Sequence, residues 1–343
     1  MERALTELWY REHAGPSLLQ PLAWLYGGLV ALRRRAYASG WARSADAGRP
    51  VVVVGNLTVG GTGKTPLTLW LAHALQAAGL RVGIVARGYG SRSGRAPRRV
   101  APHSRWQEVG DEPLILARRS ACPTVVGIDR VAAARVLAAD GVDVILADDG
   151  LQHLRLARAC EIVVIDGARG LGNGRLLPAG PLREPASRLR QVDAVVVNGG
   201  VTRGSLAPLL PGVVLGMQLE ATEAVSLDER SRRPLGSFNG QRVHAVAGIG
   251  NPQRFFSELR AHGLEVIEHA FPDHHPLTAT QVAFADALPV LMTEKDAVKC
   301  HSFANSRLWY VPVTAQLTAQ DAHELLARVL AKVRGTATAG GLP

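Results

Sequence analysis

The sequence predicts an α/β fold in which a doubly wound parallel sheet is followed by a second, smaller α/β domain. Short segments rich in Val and Ile alternate with longer segments of helical periodicity, which is the pattern of repeated βα units. This alternation stops in a polar stretch at about residues 213–241 and then restarts. Functional residues are expected at the carboxyl ends of the strands, because doubly wound sheets bind their ligands there.

The end of the first predicted strand carries a glycine-rich loop. An apolar run, 51–54, precedes the loop, and an apolar-periodic helix follows it from about Pro66. In such a loop the glycines let backbone N–H groups close around phosphate oxygens, the lysine reaches the β- and γ-phosphates, and the threonine hydroxyl ligates Mg²⁺. The sequence therefore predicts a P-loop NTPase-like site for a nucleoside triphosphate. The loop residues are Thr58, Val59, Gly60, Gly61, Thr62, Gly63, Lys64 and Thr65.

Length, cysteine content and charge limit the possible functions. The chain has 343 residues, enough for two domains that each bury a core. Cys122, Cys160 and Cys300 lie far apart, which argues against a disulfide framework or a zinc site and favours a reducing cytosol. The formal net charge of +10 suits nucleic acid, an anionic membrane surface or a phosphorylated substrate. No basic patch is interleaved with aromatic residues, so no nucleic-acid partner is expected.

Residues 1–42 form an N-terminal arm of distinct composition. An apolar segment from Leu18 to Leu32 contains Trp24 and Tyr26 and runs directly into three arginines, 33–35. The segment is shorter than the roughly 20 apolar residues that cross a bilayer, and it lacks the residue order of a signal peptide. The pattern fits equally well an amphipathic helix in the membrane interface and a helix packed on the protein's own core.

Two acidic pairs lie where phosphoryl-transfer chemistry needs carboxylates. Asp148 and Asp149 follow a buried apolar strand, where a P-loop enzyme holds Mg²⁺ together with the loop hydroxyl. The alternative is that they cap a turn before Gly150. Asp111 and Glu112 begin an apolar helix. Either carboxylate could cap this helix, and one could act as a general base toward an acceptor hydroxyl.

Several segments together resemble the tetraacyldisaccharide 4′-kinases, the lipid A 4′-kinases of Gram-negative bacteria. The resemblance extends from the N-terminal arm to about residue 330, and its most specific part is 148–185. The matching segments are GNLTVGGTGKTP (55–66), RGYG (87–90), VGDEP (109–113), DDGLQH (148–153), VIDGARGLGNGRLLPAGPLREP (164–185), FPDHH (271–275) and TEKDAVK (293–299).

The resemblance implies a kinase that transfers the γ-phosphoryl group of ATP to the 4′-hydroxyl of a tetraacylated glucosamine disaccharide 1-phosphate. It implies that residues 58–65 bind the nucleotide, that Asp111 is the catalytic base, and that His274 pairs with it, although His275 is adjacent. It further implies Mg²⁺ ligands, and these are Thr65, Asp148 or Asp149, and Glu184.

A membrane-held substrate also bears on the N-terminal arm. The resemblance favours its interfacial form, and so a peripheral, monotopic protein on the cytoplasmic face of the bacterial inner membrane. The anionic surface of that membrane and the lipid substrate are then the expected partners, and no obligate protein partner is evident.

The predicted domain bounds follow changes in composition. The arm covers 1–42, and the P-loop kinase domain covers 43–212. A connector that we expect to be two-stranded covers 213–241, and the smaller α/β domain covers 242–334, with a predicted helix at 280–288. The last residues, 335–343, are predicted to form a disordered tail. If Asp111 and His274 act together, the active site lies in the cleft between the two larger domains.

A switch-type GTPase is the main alternative function. Such a protein needs an Asn/Thr-Lys-x-Asp segment after a strand to recognise guanine. The segment Thr293-Glu294-Lys295-Asp296 differs from this pattern by one inserted residue. The same segment could instead contact the nucleotide or brace the cleft.

Overall fold

The computed structural model describes residues 9–10, 18–88, 96–200 and 213–339. Parts of the predicted arm (1–8 and 11–17) and of the RGYG segment therefore lie outside the described residues. The α-helices are α1 (Gln20–Ala38), α2 (Lys64–Ala77), α3 (Trp106–Val109), α4 (Asp111–Ser120), α5 (Arg130–Ala139), α6 (Pro252–Ala261), α7 (Glu294–Cys300) and α8 (Ala319–Ala339).

The strands of the described residues form two sheets. They are β1 (Val51–Gly55), β2 (Val82–Ala86), β3 (Arg98–Val100), β4 (Thr124–Val126), β5 (Val144–Asp148), β6 (Cys160–Asp166), β7 (Ala194–Asn198), β8 (Val214–Glu220), β9 (Glu223–Ser226), β10 (Arg232–Pro234), β11 (Arg242–Ala247), β12 (Glu265–Ala270), β13 (Val290–Thr293), β14 (Leu308–Val311) and β15 (Thr314–Gln316).

The larger sheet has the strand order β15-β8-β7-β6-β1-β5-β2-β4-β3. Its central strands are parallel, and the edge strands β3 and β15 are antiparallel to their neighbours. Every residue of β1 is buried, as expected for a parallel strand that is covered on both faces. The chain winds first to the β5 side of β1 and then to the β6 side. The carboxyl end of β1 is therefore the switch point where doubly wound sheets bind ligands.

The smaller sheet has the order β10-β9-β14-β13-β11-β12. Strands β11 to β14 are parallel, and β9 and β10 form an antiparallel extension. One face packs on the fully buried Phe238 and Phe256, and the ring of Phe238 meets that of Trp309 edge to face at 5.8 Å. This sheet therefore has its own hydrophobic core, as the α/β prediction requires.

Strand pairing distributes the predicted connector, 213–241, over both sheets. β8 pairs with β7 in the larger sheet, whereas β9 and β10 belong to the smaller one. Strand β15 then returns to pair with β8. Helix α8 buries Leu325 and Val329 in the core of the larger sheet, although the sequence assigns this helix to the smaller domain. The physical reason is that β8 would otherwise be an unpaired edge strand, so β15 pairs with it. Helix α8, which follows β15, then covers apolar residues on one face of the larger sheet.

Two further segments differ from the sequence predictions. At 280–288 the structure has only a short 3₁₀ turn, Ala279–Val282, and Phe284 stacks on His244 with ring centroids 3.7 Å apart. Tertiary packing here overrides a weak helical preference. The sequence predicts a disordered tail from residue 335, whereas α8 continues through Ala339, because 336–339 contain neither glycine nor proline. Residues 340–343 lie outside the described residues.

Helix α1 contacts the segment between β6 and β7 through one side and exposes the other. The Tyr26 hydroxyl donates to the Arg183 carbonyl oxygen over 2.9 Å, and Arg34 approaches Glu184 to 3.8 Å. Among the described helices, none is both long and apolar enough to span a membrane. The exposed apolar side chains of α1 do not pack on the protein's own core. They are Leu22, Trp24, Leu25, Leu29 and Leu32, each more than half exposed.

Candidate active site

The glycine-rich loop joins β1 to α2 at the switch point. Gly60 and Gly63 have φ angles of 102° and 98°, which a residue with a Cβ rarely adopts. A Cβ on Gly63 would also lie only 3.0 Å from the Asn198 Nδ2 atom and 3.1 Å from the Met217 Cε atom. Helix α2 begins at Lys64, so its free N–H groups and positive dipole end face the loop. This is the geometry of a phosphate-binding turn.

A second segment holds this loop in place. The Val59 N–H donates to the Pro181 carbonyl over 2.9 Å, and the Arg183 N–H donates to the Leu57 carbonyl over 2.7 Å. Thr58 makes an antiparallel bridge with Leu182. The 164–185 segment, the most specific part of the sequence resemblance, thus includes the support of the nucleotide loop.

The Thr65 hydroxyl lies beside a buried carboxylate at the end of β5. Its Oγ1 atom is 3.3 Å from Asp148 Oδ2, and the Thr68 hydroxyl donates to Asp148 Oδ1 over 2.9 Å. Asp148 is 3% exposed. Burial, together with the nearby Glu112 carboxylate, raises the pKa of Asp148 to about 7. Because burial disfavours the ionised form of this carboxyl group, a bound cation would stabilise that form.

Asp149 has the opposite electrostatic environment. Burial alone would raise its pKa, but the charges of Lys64 and Arg183 outweigh burial and hold the pKa well below its usual range. The Lys64 Nζ atom is 3.6 Å from Asp149 Oδ1, and Arg183 Nη2 donates to the same oxygen over 3.0 Å. Asp149 also has a φ of 49°, so its backbone is in the left-handed region. The sequence treats the two aspartates alike, whereas within the described residues Asp149 has direct ion pairs and Asp148 has none.

The structure brings Asp111 and His274 together from different sheets. His274 Nδ1 lies 2.9 Å from Asp111 Oδ2, and Asp111 is 4% exposed. Burial would raise the pKa of Asp111, but the hydrogen bond from His274 and the charge of Lys295 lower it overall. His274 itself has a φ of 60° and its N–H donates to the Gly248 carbonyl over 3.2 Å. A strained backbone at this position is typical of a functional residue.

The alternative role of Asp111 as a helix cap has little support in the geometry. Gly110 is the N-cap of α4 and makes no side-chain cap, and Asp111 is already the first helical residue. One of its carboxylate oxygens accepts the N–H of Glu112 over 2.9 Å, while the other faces His274. The neighbouring histidine, His275, stacks on Phe271 at 5.0 Å instead.

Glu184 lies in a different environment from the other three predicted metal ligands. Its Oε2 atom is 3.4 Å from Arg188 and 3.8 Å from Arg34, and Gln152 donates to its Oε1 over 2.9 Å. No contact between Glu184 and Thr65, Asp148 or Asp149 is found in the described part of the chain. Its carboxylate is instead neutralised by arginines.

Two buried cations near the site were not predicted from the sequence. Arg130, at the start of α5, is 2% exposed, and its Nε and Nη2 atoms lack hydrogen-bond partners among the described residues. Burial lowers the pKa of Arg130 to about 10, against the charges of Asp148 and Asp149. Lys299 is buried on α7, 3.9 Å from Asp111. Its position four residues after Lys295, on the same helix face, is the signal that sequence reasoning could have used.

The donor set fits Mg²⁺ better than a metal held by the protein alone. No three His, Cys, Asp or Glu side chains converge on a metal position within 18–88, 96–200 and 213–339. Mg²⁺ usually keeps several waters and takes one or two carboxylates together with phosphate oxygens, as in kinases. The hydroxyl of Thr65 and the carboxylate of Asp148 provide such oxygen ligands next to the phosphate-binding loop.

Comparison with known proteins identifies the family. The family model for tetraacyldisaccharide-1-P 4′-kinase (LpxK) matches residues 16–332. The tetraacyldisaccharide 4′-kinase of Alkalilimnicola ehrlichii is 55% identical over 311 residues, which cover 90% of this chain and 89% of that protein. The enzyme of the same name from Pseudomonas aeruginosa is 50% identical over 313 residues, which cover 91% and 92% of the two chains.

A solved structure agrees with this result. The crystal structure of an LpxK from Aquifex aeolicus in complex with ATP superimposes with a TM-score of 0.77 at 28% identity. The match covers 92% of this chain and 98% of that one. Because the family model spans most of the sequence and these relatives match about nine-tenths of it, the chain belongs to the tetraacyldisaccharide-1-P 4′-kinase family.

Proposed function

We propose that this protein transfers the γ-phosphoryl group of ATP to the 4′-hydroxyl of a tetraacylated glucosamine disaccharide 1-phosphate, in lipid A biosynthesis. Membership of a kinase family supports the reaction class and argues against the GTPase alternative. The observation that carries the proposal is the hydrogen bond between the buried Asp111 and the partly exposed His274. Glu112, the residue after Asp111, acts through its charge on Asp148 beside the phosphate loop. An ATPase needs only the loop, whereas a kinase also needs a base for its acceptor.

In this proposal residues 58–65 bind the triphosphate. Lys64 neutralises charge on the β- and γ-phosphates, and the loop N–H groups fix their position. Thr65 and Asp148 would hold Mg²⁺, with Asp149 as a further ligand. When bound, this ion neutralises charge on the phosphate oxygens. Glu184, the remaining predicted ligand, is better supported as the partner of Arg34 and Arg188.

Asp111 acts as the base toward the acceptor hydroxyl. Its lowered pKa keeps the carboxylate ionised, which is the form that can accept a proton. The hydrogen bond from His274 orients that carboxylate and stabilises its charge. The acceptor oxygen forms its bond to phosphorus while the bond from phosphorus to the bridging oxygen of ADP breaks, and the proton of the hydroxyl passes to Asp111.

We further propose that the protein acts as a peripheral enzyme on the cytoplasmic face of the inner membrane. The exposed apolar side of α1, with Arg33 and Arg35 near its C-terminal end, has the composition of an interfacial helix. Arginines near an anionic surface contribute roughly 1 kcal/mol each. Through Tyr26 and Arg34 this helix contacts the segment that supports the nucleotide loop, which suits an acceptor held in the bilayer.

Phosphate transfer from labelled ATP to the lipid tests the reaction. The purified chain is incubated with γ-labelled ATP or GTP and with the detergent-dispersed tetraacyldisaccharide 1-phosphate. We expect label on the lipid, faster from ATP, and none on a control lipid whose 4′ position is already phosphorylated. Release of inorganic phosphate at the same rate with and without lipid, and no labelled lipid, would contradict the proposal.

Co-sedimentation with liposomes tests the membrane surface. Replacing Leu22, Leu25 and Leu29 by Ser is expected to release the protein from vesicles of anionic phospholipid while ATP binding persists. A matched control replaces the exposed residues Arg135, Arg230 and Arg242, which lie elsewhere on the surface, by Ser. If the control variant is released and the α1 variant is not, the membrane surface lies elsewhere.

A further inference from the structure

Lys295 contacts the predicted catalytic histidine on the side away from Asp111. Its Nζ atom is 3.2 Å from His274 Nε2, 3.1 Å from Glu112 Oε1 and 3.3 Å from Asp273 Oδ1. The lysine side chain is 16% exposed, and it reaches from α7 of the smaller sheet to Glu112 on α4. The ammonium group of Lys295 therefore contacts His274, the neighbouring loop residue Asp273, and Glu112 on the helix that carries Asp111.

The charge state of Lys295 follows from these neighbours. Burial alone would lower the pKa of this lysine, but the carboxylates of Glu112, Asp111 and Asp273 raise it. An ammonium group has three N–H donors and no acceptor. At a 3.2 Å approach, His274 Nε2 must be the acceptor, because a protonated Nε2 would direct its own N–H at the ammonium.

The protonation of the second ring nitrogen of His274, Nδ1, then follows as well. Neutral imidazole carries a single proton, and with Nε2 as acceptor that proton is on Nδ1. Nδ1 is the atom that lies 2.9 Å from Asp111 Oδ2, so it donates to the carboxylate. Asp273 also faces Nε2, but at 3.9 Å, farther away than the lysine. Lys299 is a further charge near the pair, 3.9 Å from the same oxygen of Asp111.

We propose that Lys295 is a positioning residue that fixes His274 in its neutral Nδ1–H tautomer, so that the imidazole serves Asp111 as a hydrogen-bond donor. This inference rests on the proposed function in treating Asp111 and His274 as a working pair. It assigns the proton of the acceptor hydroxyl to Asp111 alone, since His274 has no free lone pair on the side that faces Asp111. Lys295 and His274 both belong to the smaller sheet, whereas Asp111 belongs to the larger one. The Nδ1–H group therefore reaches Asp111 only when the two sheets are in contact.

Nitrogen-15 NMR of the full chain with labelled histidine tests the tautomer directly. The signal of His274, one of 11 histidines, is identified by its loss in the His274→Gln variant. In the wild-type protein at pH 8, we expect a protonated Nδ1 and an unprotonated Nε2. A proton on Nε2 in the wild-type protein would overturn the inference without any variant of Lys295.

Variants of Lys295 test the cause. In Lys295→Met, which keeps the length of the side chain and removes its charge, we expect a proton to appear on Nε2. We also expect kcat to fall about 10–100-fold, the effect of one charged hydrogen bond, with KM for ATP nearly unchanged. Lys295→Arg keeps a donor and should largely restore the tautomer. Lys332→Met removes a lysine of α8 that pairs with Asp193, far from His274 in the chain; it is the control and should change neither measurement.

The two measurements separate this inference from the proposed function. The NMR readout needs neither ATP nor lipid, so it remains valid if no phosphoryl transfer is found. An unchanged spectrum in Lys295→Met, in a protein that phosphorylates the lipid, would refute the role of Lys295 alone. If Lys295→Met does not fold, the wild-type and Lys295→Arg spectra still decide the question.

Discussion

The two halves of the active site are assembled in different ways. The nucleotide half draws Lys64 and Thr65 from the start of α2, after the loop that follows β1, and Asp148 and Asp149 from the end of β5. These two strands are hydrogen-bonded neighbours in one sheet. The proton-transfer half pairs Asp111 of α4 with His274, from the loop after β12 of the other sheet. The first half depends on the larger sheet alone, whereas the second exists only while the two sheets are in contact.

This difference separates two properties that a kinase needs. The nucleotide half is pre-organised, because the loop geometry is fixed by glycine conformations and by the 181–183 segment. The proton-transfer half depends on longer side chains, Lys295 and Lys299, that cross between the sheets. Nucleotide binding and phosphoryl transfer should therefore respond to different substitutions.

The largest effect is expected at Lys64. Lys64→Ala should reduce kcat/KM for ATP by about 10³-fold or more, because the loop loses the cation that meets the β- and γ-phosphates. Thermal unfolding should change little, since the Lys64 side chain has one ion-pair partner in the described structure, Asp149. Steady-state assays and nucleotide binding measure both effects. Near-normal activity in a folded variant would remove the basis for the nucleotide half.

The next largest effect is expected at Asp111, where a substitution should affect proton transfer and not nucleotide binding. Asp111→Ala should lower kcat by about 10²–10⁴-fold, the usual contribution of a general base, and leave ATP affinity nearly unchanged. His274→Ala should cost less. The double variant should be little worse than Asp111→Ala, because residues that act as a unit are not additive. Multiplicative losses would mean that the two residues have independent roles.

The sequence alone predicts the nucleotide half well. Its loop is contiguous, and the strand before Asp148 is a continuous apolar run, so both features are local. The pairing of Asp111 with His274 came only from the family resemblance, because 163 residues separate the two in the chain. Local pattern could not reveal which of His274 and His275 turns toward Asp111. That choice follows from the φ of 60° at His274, which depends on tertiary packing.

Two of the predictions that did not match the structure share one physical cause. The assignment of α8 to the smaller domain and the helix expected at 280–288 both rest on local periodicity. The structure places α8 on the larger sheet because β15 pairs with β8 there. Arg130 was missed because its sequence context, an ordinary helix start, carries no sign that the side chain becomes buried near Asp148.

A smaller effect, on stability, is expected from the raised pKa of Asp148. A carboxyl group whose pKa rises from 3.8 to about 7 on folding stabilises the protein below pH 3.8 and loses that contribution as pH rises through 7. In the metal-free protein at pH 8 the buried charge is therefore unfavourable. Asp148→Asn should raise Tm by several degrees at pH 8 and by less at pH 5, while activity is lost. Thermal unfolding in the presence of a chelator measures the difference in Tm between Asp148→Asn and the wild type at each pH. A smaller gain in Tm at pH 8 than at pH 5 would contradict the prediction.

The smallest effect is expected at His275, which has no part in either half of the site. His275 stacks on Phe271 at 5.0 Å and its Nε2 atom lies 3.0 Å from Gln281 Nε2, so its contacts belong to the smaller sheet. His275→Ala should lower kcat by less than about threefold, because it removes a ring contact and leaves the Asp111–His274 hydrogen bond intact. His275→Phe, which keeps the stacking, is the matched control and should be closer still to the wild type. Assays of both variants beside His274→Ala give the ranking. A greater loss at His275 than at His274 would mean that proton transfer uses the other histidine, and that Asp111 changes partner when the substrates bind.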